Sequence, residues 1–178
     1  MAWVLAALHA DRVASVVSVS TPHPRAFADA LQHPRQRIRS CYIPLFRSPR
    51  APAVLGARGA LGLRALFRLS WLPGSLAAPY VERARTDPGW LDAGLTWYRA
   101  NTGTALRELA GVGEVTVPTT YVWSTRDMAL GSSAARRTAA YVSGPYRFEV
   151  LSKVGHWVPE LAPDTLNRLL LEHLASVG

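Results

Sequence analysis

The sequence predicts an α/β fold: a parallel sheet whose strands alternate with helices, interrupted after its first strand by a helical insert. Three observations carry this. β-Branched and aromatic runs stand at "VASVVSVS" (13–20), "TTYVWS" (119–124) and "YRFEVLS" (146–152). Helical patterning fills the gap between the second and third runs and follows the third. From residue 26 to about 101 the pattern is helical, with no convincing strand. Strands that alternate with helices pair in parallel, because each return needs a crossover.

In chain order, residues 3–9 read as the tail of a helix, ended by His9-Ala10-Asp11-Arg12. The first strand is broken by Thr21-Pro22-His23-Pro24, since proline denies the ladder its donors. The insert is divided into short helices at Pro34, Pro49 to Pro52, Pro73-Gly74 and Pro88-Gly89. Pro118 introduces the second strand, and a short helix is expected at about 132–142. After the third strand, Asp164 is expected to cap a last helix in which Leu166, Leu169, Leu170 and Leu174 share one face.

The 178 residues suffice for a substantial core, and 49% hydrophobic with 18% charged residues is a globular composition. Cys41 is the only cysteine, so neither an intrachain disulfide nor a Cys-based metal cluster is expected, and a reducing, cytoplasmic setting fits. The apolar N-terminal stretch lacks the basic residues of a signal peptide, and no run is long enough to span a bilayer. The net charge of +8 is local: residues 25–80 hold nine arginines against one acid, Asp29. The plain reading is a solvated basic face; weak attraction to anionic lipid, nucleic acid or an acidic partner is the other, and no specific nucleic-acid site is expected.

Open parallel sheets carry their reactive groups on loops at the carboxyl ends of strands. Thr125-Arg126-Asp127 follows one strand and Lys153-Val154-Gly155-His156 the next. If those strands are neighbours, Asp127 and His156 emerge side by side as an orienter-and-base pair, with Gly155 letting the loop bend. Singly, each residue is an ordinary turn or packing residue; their joint placement points to chemistry. Ser18, Ser20 and Thr21 sit at a strand end but in no Gly-x-Ser-x-Gly elbow. His23 reads as a loop residue; His9, His33 and His173 have no metal-ligand spacing, and Gly56, Gly59 and Gly62 weaken a helix without forming a phosphate loop. No cofactor and no metal is expected.

"VWSTRDMAL" with "VGHWVPELAPDTLNRLLLEHL" resembles the C-terminal part of the α/β-hydrolase fold family, more narrowly its epoxide hydrolase-like branch. "AWVLAALHADRVASVVSVSTPHP" resembles that family's segment just after the nucleophile elbow. The resemblance covers essentially the whole chain. It implies three parts: a helix and strand of the hydrolase core at 1–24, a helical lid (cap) at 25–113, and the C-terminal part of the core at 114–178. It further implies Asp127 and His156 as triad members. From "CYIPLFRSP" and "LTWYRANTG" it implies Tyr42 and Tyr98 as phenols serving the alkoxide of an opening epoxide. Trp97 and Trp157 are expected in the substrate pocket wall or core.

The family's nucleophile is an aspartate in an elbow resembling Gly-His-Asp-Trp-Gly, and residues 1–178 contain no such motif. Asp11 and Asp29 lie on no elbow. The expectation is therefore a hydrolase lineage truncated before its nucleophile and inactive as written, acting on a small apolar substrate such as an epoxide only when completed. The open alternatives are a dehalogenase or esterase of the same fold, or a non-catalytic split half that binds a partner. An exposed sheet edge at 13–20 would favour self-association.

Overall fold

Three parallel strands, β1 (Val16–Val19), β2 (Thr119–Arg126) and β3 (Tyr146–Gly155), form a sheet in the order β1-β2-β3. Val16 pairs with Thr119, and Thr119 with Tyr146, so the carboxyl ends of all three strands lie along one edge. The computed structural model describes residues 1–102, 108–109 and 111–177. The chain divides into two compact units, Met1–Arg39 with Arg107–Gly178, and Ser40–Leu106. Residues 103–107 and 110, which fall within the span expected for the lid, lie outside the described residues.

In the first unit β2 is buried along 119–124, which is why it reads as a near-continuous apolar run rather than an alternating one. Successive side chains of a strand point to opposite faces. Tyr121 and Trp123 pack on one face with Trp3 and Ala6 of α1 (Ala2–Leu8), and with Val16 and Ala135. Val122 packs on the other with Val158, Leu166 and Leu169. Helices α2 (Pro24–Ala30) and α3 (Pro34–Arg39) also belong to this unit. The helix between β2 and β3 is shorter than expected: α8 (Ser132–Arg137) gives way to a 3₁₀ turn, Thr138–Tyr141. The outer edge of β1 has no strand against it among the described residues.

The end of the chain differs from expectation in two respects. After a short α9 (Val158–Leu161), α10 runs over Pro163–Val177, so Asp164 lies inside the first turn rather than at the cap. Its carboxylate still favours the positive helix end. The buried stripe is Leu166, Leu169 and His173, while Leu174 is 59% exposed. His173 is admitted because its Nδ1 meets the Thr120 hydroxyl at 2.9 Å. The stripe thus turns toward β2 at a polar position that hydrophobic periodicity cannot report.

His23 lies in the loop that leads into α2, as the sequence predicts, and it is fully buried there: its Nδ1 accepts from the Arg25 N–H (3.3 Å) to cap α2, and its Nε2 meets the Gly113 carbonyl at 3.1 Å. Tyr141 stacks on the ring with centroids 5.0 Å apart.

The described residues of the second unit form helices and turns: α4 (Ile43–Arg47), α5 (Ala51–Leu69), α6 (Gly74–Thr86) and α7 (Pro88–Ala100). Proline occupies the first turns of α4, α5 and α7, where the missing N–H is no loss. Asp87 caps α7 by accepting from the Gly89 N–H at 3.1 Å. Helix α5 is two arms joined by a reversal, with Arg58, Gly59 and Ala60 at φ 51°, 70° and 62°. The reversal brings Gly62 against the first arm, where a Cβ would stand 2.9 Å from the Val54 carbonyl oxygen and 3.0 Å from Leu55 Cα. So Gly59 supplies the left-handed turn and Gly62 the close approach. The second arm ends in a Schellman motif: Leu72 N–H donates to Phe67 O (3.0 Å) and Trp71 N–H to Arg68 O (3.2 Å), with Trp71 at φ 65°. No helix among the described residues is long and apolar enough to cross a membrane.

Candidate active site

The carboxyl ends of β2 and β3 carry the two residues that the sequence singles out. Asp127 leaves β2 and is 1% exposed. Its Oδ1 accepts from the N–H groups of Ala129 (2.8 Å) and Leu130 (2.9 Å), which orients the carboxylate. Oδ2 is then left for His156, whose Nδ1 stands 2.9 Å away. Held so, Nδ1 carries the proton and donates, and Nε2 is free to act as base. The His156 side chain is 31% exposed while that of Asp127 is 0% exposed, so the imidazole reaches solvent and the carboxylate does not.

The strand ends are stitched together locally. The β2–β3 register shifts between Ser124 and Arg126, Ser124 Oγ donates to Gly155 O (2.7 Å), and Lys153 N–H donates to Thr125 Oγ1 (2.8 Å). Gly155 was expected to provide the bend; instead Lys153 takes the left-handed conformation, φ 64°, and Gly155 ends β3 buried. Ser20, at the end of β1, donates to the His156 carbonyl (3.3 Å) and accepts from Tyr121 Oη (2.8 Å) through its own carbonyl. Burial drives the Tyr121 phenol far above its ordinary range, so it is a permanent donor in this lattice of bonds.

Sequence reasoning missed the residues that hold Asp127 from behind. Gln36 is 3% exposed; its Nε2 donates to Ala129 O (2.8 Å) and its Oε1 accepts from Gly131 N–H (2.9 Å). Arg39 donates to the Asp127 carbonyl at 2.5 Å. Both come from α3, some ninety positions away in sequence, and neither belongs to a local motif.

Trp157 stands edge-on to His156, ring centroids 5.6 Å apart. Tyr42, Tyr98 and Trp97 belong to the second unit. Tyr42 and Phe46 pack edge-on to Tyr98 with centroids at 6.3 and 5.0 Å, so α4 and α7 bring the two phenols together. Burial raises the Tyr98 pKa, and a hydrogen bond with Tyr42 opposes the rise. Trp97 touches Tyr98 edge-on at 5.1 Å but is 56% exposed on α7.

Residues 1–163 match the alpha/beta hydrolase fold family. The chain is 29% identical over 189 residues to epoxide hydrolase 3 of Xenopus tropicalis, covering 98% of this chain and 49% of that protein. It is 28% identical over 211 residues to epoxide hydrolase A of Mycobacterium tuberculosis, covering 98% and 65%. Among solved structures, a variant of an epoxide hydrolase from Bacillus megaterium superposes with a TM-score of 0.78 at 20% identity, over 97% of this chain and 64% of that one. Epoxide hydrolase A from Mycobacterium thermoresistibile gives 0.75 at 26% identity, over 99% and 66%. The chain therefore spans about half to two thirds of the length of these proteins. Fold and sequence agree: the chain belongs to the α/β-hydrolase fold family, and the proteins it resembles there are epoxide hydrolases.

Proposed function

We propose that residues 1–178 supply the hydrolytic half of an epoxide hydrolase, with the nucleophilic aspartate contributed by polypeptide outside them. The observation that carries this reading is the 2.9 Å contact between His156 Nδ1 and the buried Asp127 carboxylate. In the proposed reaction an aspartate attacks an epoxide carbon, the C–O bond breaks, and the oxygen takes a proton from the Tyr42–Tyr98 phenol pair. His156 Nε2 then removes a proton from water as that water adds to the ester carbonyl. Collapse releases a vicinal diol and the free aspartate; His156 then gives up its proton to solvent and the phenol regains one from it. The sum is epoxide plus water to diol.

Residues 1–178 contain no Gly-x-Asp-x-Gly or Gly-x-Ser-x-Gly elbow, so on this reading they do not turn over alone. The outer edge of β1, which has no strand against it among the described residues, supports completion by another segment, because an open edge offers unmade backbone hydrogen bonds. The second unit, Ser40–Leu106, is on this reading the lid, with Tyr42 and Tyr98 its chemical groups and Trp97 and Trp157 lining residues. The hydrogen-bonded phenol pair favours epoxide chemistry over that of a dehalogenase or esterase, which has less use for a phenolic proton donor.

Diol formation, measured with the chain alone and joined to a segment carrying an elbow aspartate, tests the reading. The chain alone is expected to be inert and the completed protein active, with Tyr42→Phe and Tyr98→Phe each slowing epoxide opening by roughly 10²-fold. Turnover that survives both substitutions would remove the epoxide assignment. A completed protein with no turnover on epoxides, haloalkanes or esters would instead favour a partner-binding role.

A further inference from the structure

The second unit carries a surface that its fold does not explain. Residues 40–106 hold eight arginines and three acids, Glu82, Asp87 and Asp92. All three carboxylates are taken within the unit: Arg85 meets Glu82 at 2.9 Å, Arg83 meets Asp87 at 2.7 Å and Arg99 meets Asp92 at 2.8 Å. Arg47, Arg50, Arg58, Arg64 and Arg68 are left with no carboxylate of that unit. Two of them, Arg64 and Arg68, flank an open cleft of about 250 Å³ floored by Phe67, Leu72, Ala77 and Val81.

Around the α5–α6 turn beside this cleft, large apolar side chains face outward: Leu69 is 69% exposed, Trp71 64% and Leu76 38%. Trp71 is the informative one. It fills the left-handed position of the Schellman motif, φ 65°, where glycine fits without strain. There it suffers the Cβ clash of that conformation and gains nothing from burial. A tryptophan held out of the fold at a strained turn, between leucines and arginines that have no carboxylate partner in the unit, suits a bilayer interface. Tryptophan rings settle at headgroup depth and arginines pair with anionic headgroups.

We propose that the α5–α6 corner of the second unit is a peripheral docking surface for an anionic phospholipid bilayer. Leu69, Trp71 and Leu76 enter the headgroup region, and Arg64 and Arg68 pair with lipid phosphates. Charge complementarity selects this partner over a neutral apolar one: the Arg64 and Arg68 guanidiniums, with no carboxylate against them among the described residues, would be costly to cover with an uncharged surface.

The test is co-sedimentation of the 178-residue chain with phosphatidylcholine vesicles, with and without phosphatidylglycerol. Binding to the phosphatidylglycerol vesicles is expected to be at least ~tenfold tighter and to weaken with added salt. Arg64→Gln with Arg68→Gln should weaken it by roughly tenfold, whereas Arg136→Gln with Arg137→Gln, the same charge loss on α8, should leave it within about threefold. Trp71→Gly separates binding from folding: it relieves the turn and so raises thermal stability, yet lowers vesicle affinity. The proposal is overturned by equal binding to both vesicle types, by equal loss from both arginine pairs, or by full binding in Trp71→Gly. Tighter binding to a duplex DNA oligonucleotide, with the same Arg64 and Arg68 dependence, would also overturn it.

Discussion

His156 and Asp127 meet at 2.9 Å across neighbouring parallel strands, with the aspartate buried and the histidine partly exposed. One carboxylate oxygen is spent on two backbone N–H groups and the other on the imidazole. That division predicts the outcome of Asp127→Asn. Either the amide NH₂ faces the N–H groups of Ala129 and Leu130, or it turns on His156 and reverses the imidazole tautomer. Stability should fall by about 1–3 kcal/mol, and turnover of the completed protein by roughly 10²–10⁴-fold. Urea unfolding and single-turnover kinetics measure the two losses separately.

Gln36 holds the same loop from the other side. Gln36→Ala leaves the Ala129 carbonyl and Gly131 N–H without their partner and loosens the segment that orients Asp127. We expect a loss of about 1–3 kcal/mol in stability. In the completed protein kcat should fall while KM stays near its original value, because Gln36 acts through Asp127. A change confined to stability would mark Gln36 as structural only.

Buried His23 makes stability depend on pH. Burial lowers its pKa from 6.5 to about 4, assisted by the charge of Arg25 and opposed by the bond to Gly113. Between those values the unfolded chain binds the proton and the folded chain does not. The contribution of His23 is therefore fully present above pH 6.5 and is lost as pH falls toward 4. The loss is on the order of 2–3 kcal/mol. Urea midpoints measured across this range should fall with pH, and His23→Leu, though less stable at neutral pH, should flatten the slope.

The strands were legible because β2 is buried on both faces and β3 carries the next crossover, and the proline breaks marked the helices of the second unit. The contact of Asp127 with His156 was legible because both residues follow adjacent strands. Gln36 and Arg39 were not, since a polar residue paired with a loop far along the chain leaves no periodic trace. His173 and Leu174 show the same limit: Thr120 draws the histidine inward, and the leucine beside it is left in solvent. Nor could the sequence report the reversal in α5, where three consecutive left-handed residues divide a pattern that reads as one helix.

The glycines of the second unit provide a matched pair of tests. Gly62→Ala would place a methyl 2.9 Å from the Val54 carbonyl oxygen and should destabilise by about 1–3 kcal/mol. Gly94→Ala, on the exposed face of α7 with nothing within 4 Å, should stabilise by roughly 0.5–1 kcal/mol. Thermal midpoints that move in opposite directions would support the packing of the two α5 arms.

In the proposed reaction His156 activates the water that hydrolyses an ester formed on an aspartate from outside residues 1–178. The most direct test is the intact mass of the His156→Gln variant, completed with an elbow aspartate and exposed to an epoxide. The protein is expected to gain the mass of one epoxide and hold it, because the ester forms and its hydrolysis is blocked. Undiminished diol production with no adduct would contradict it.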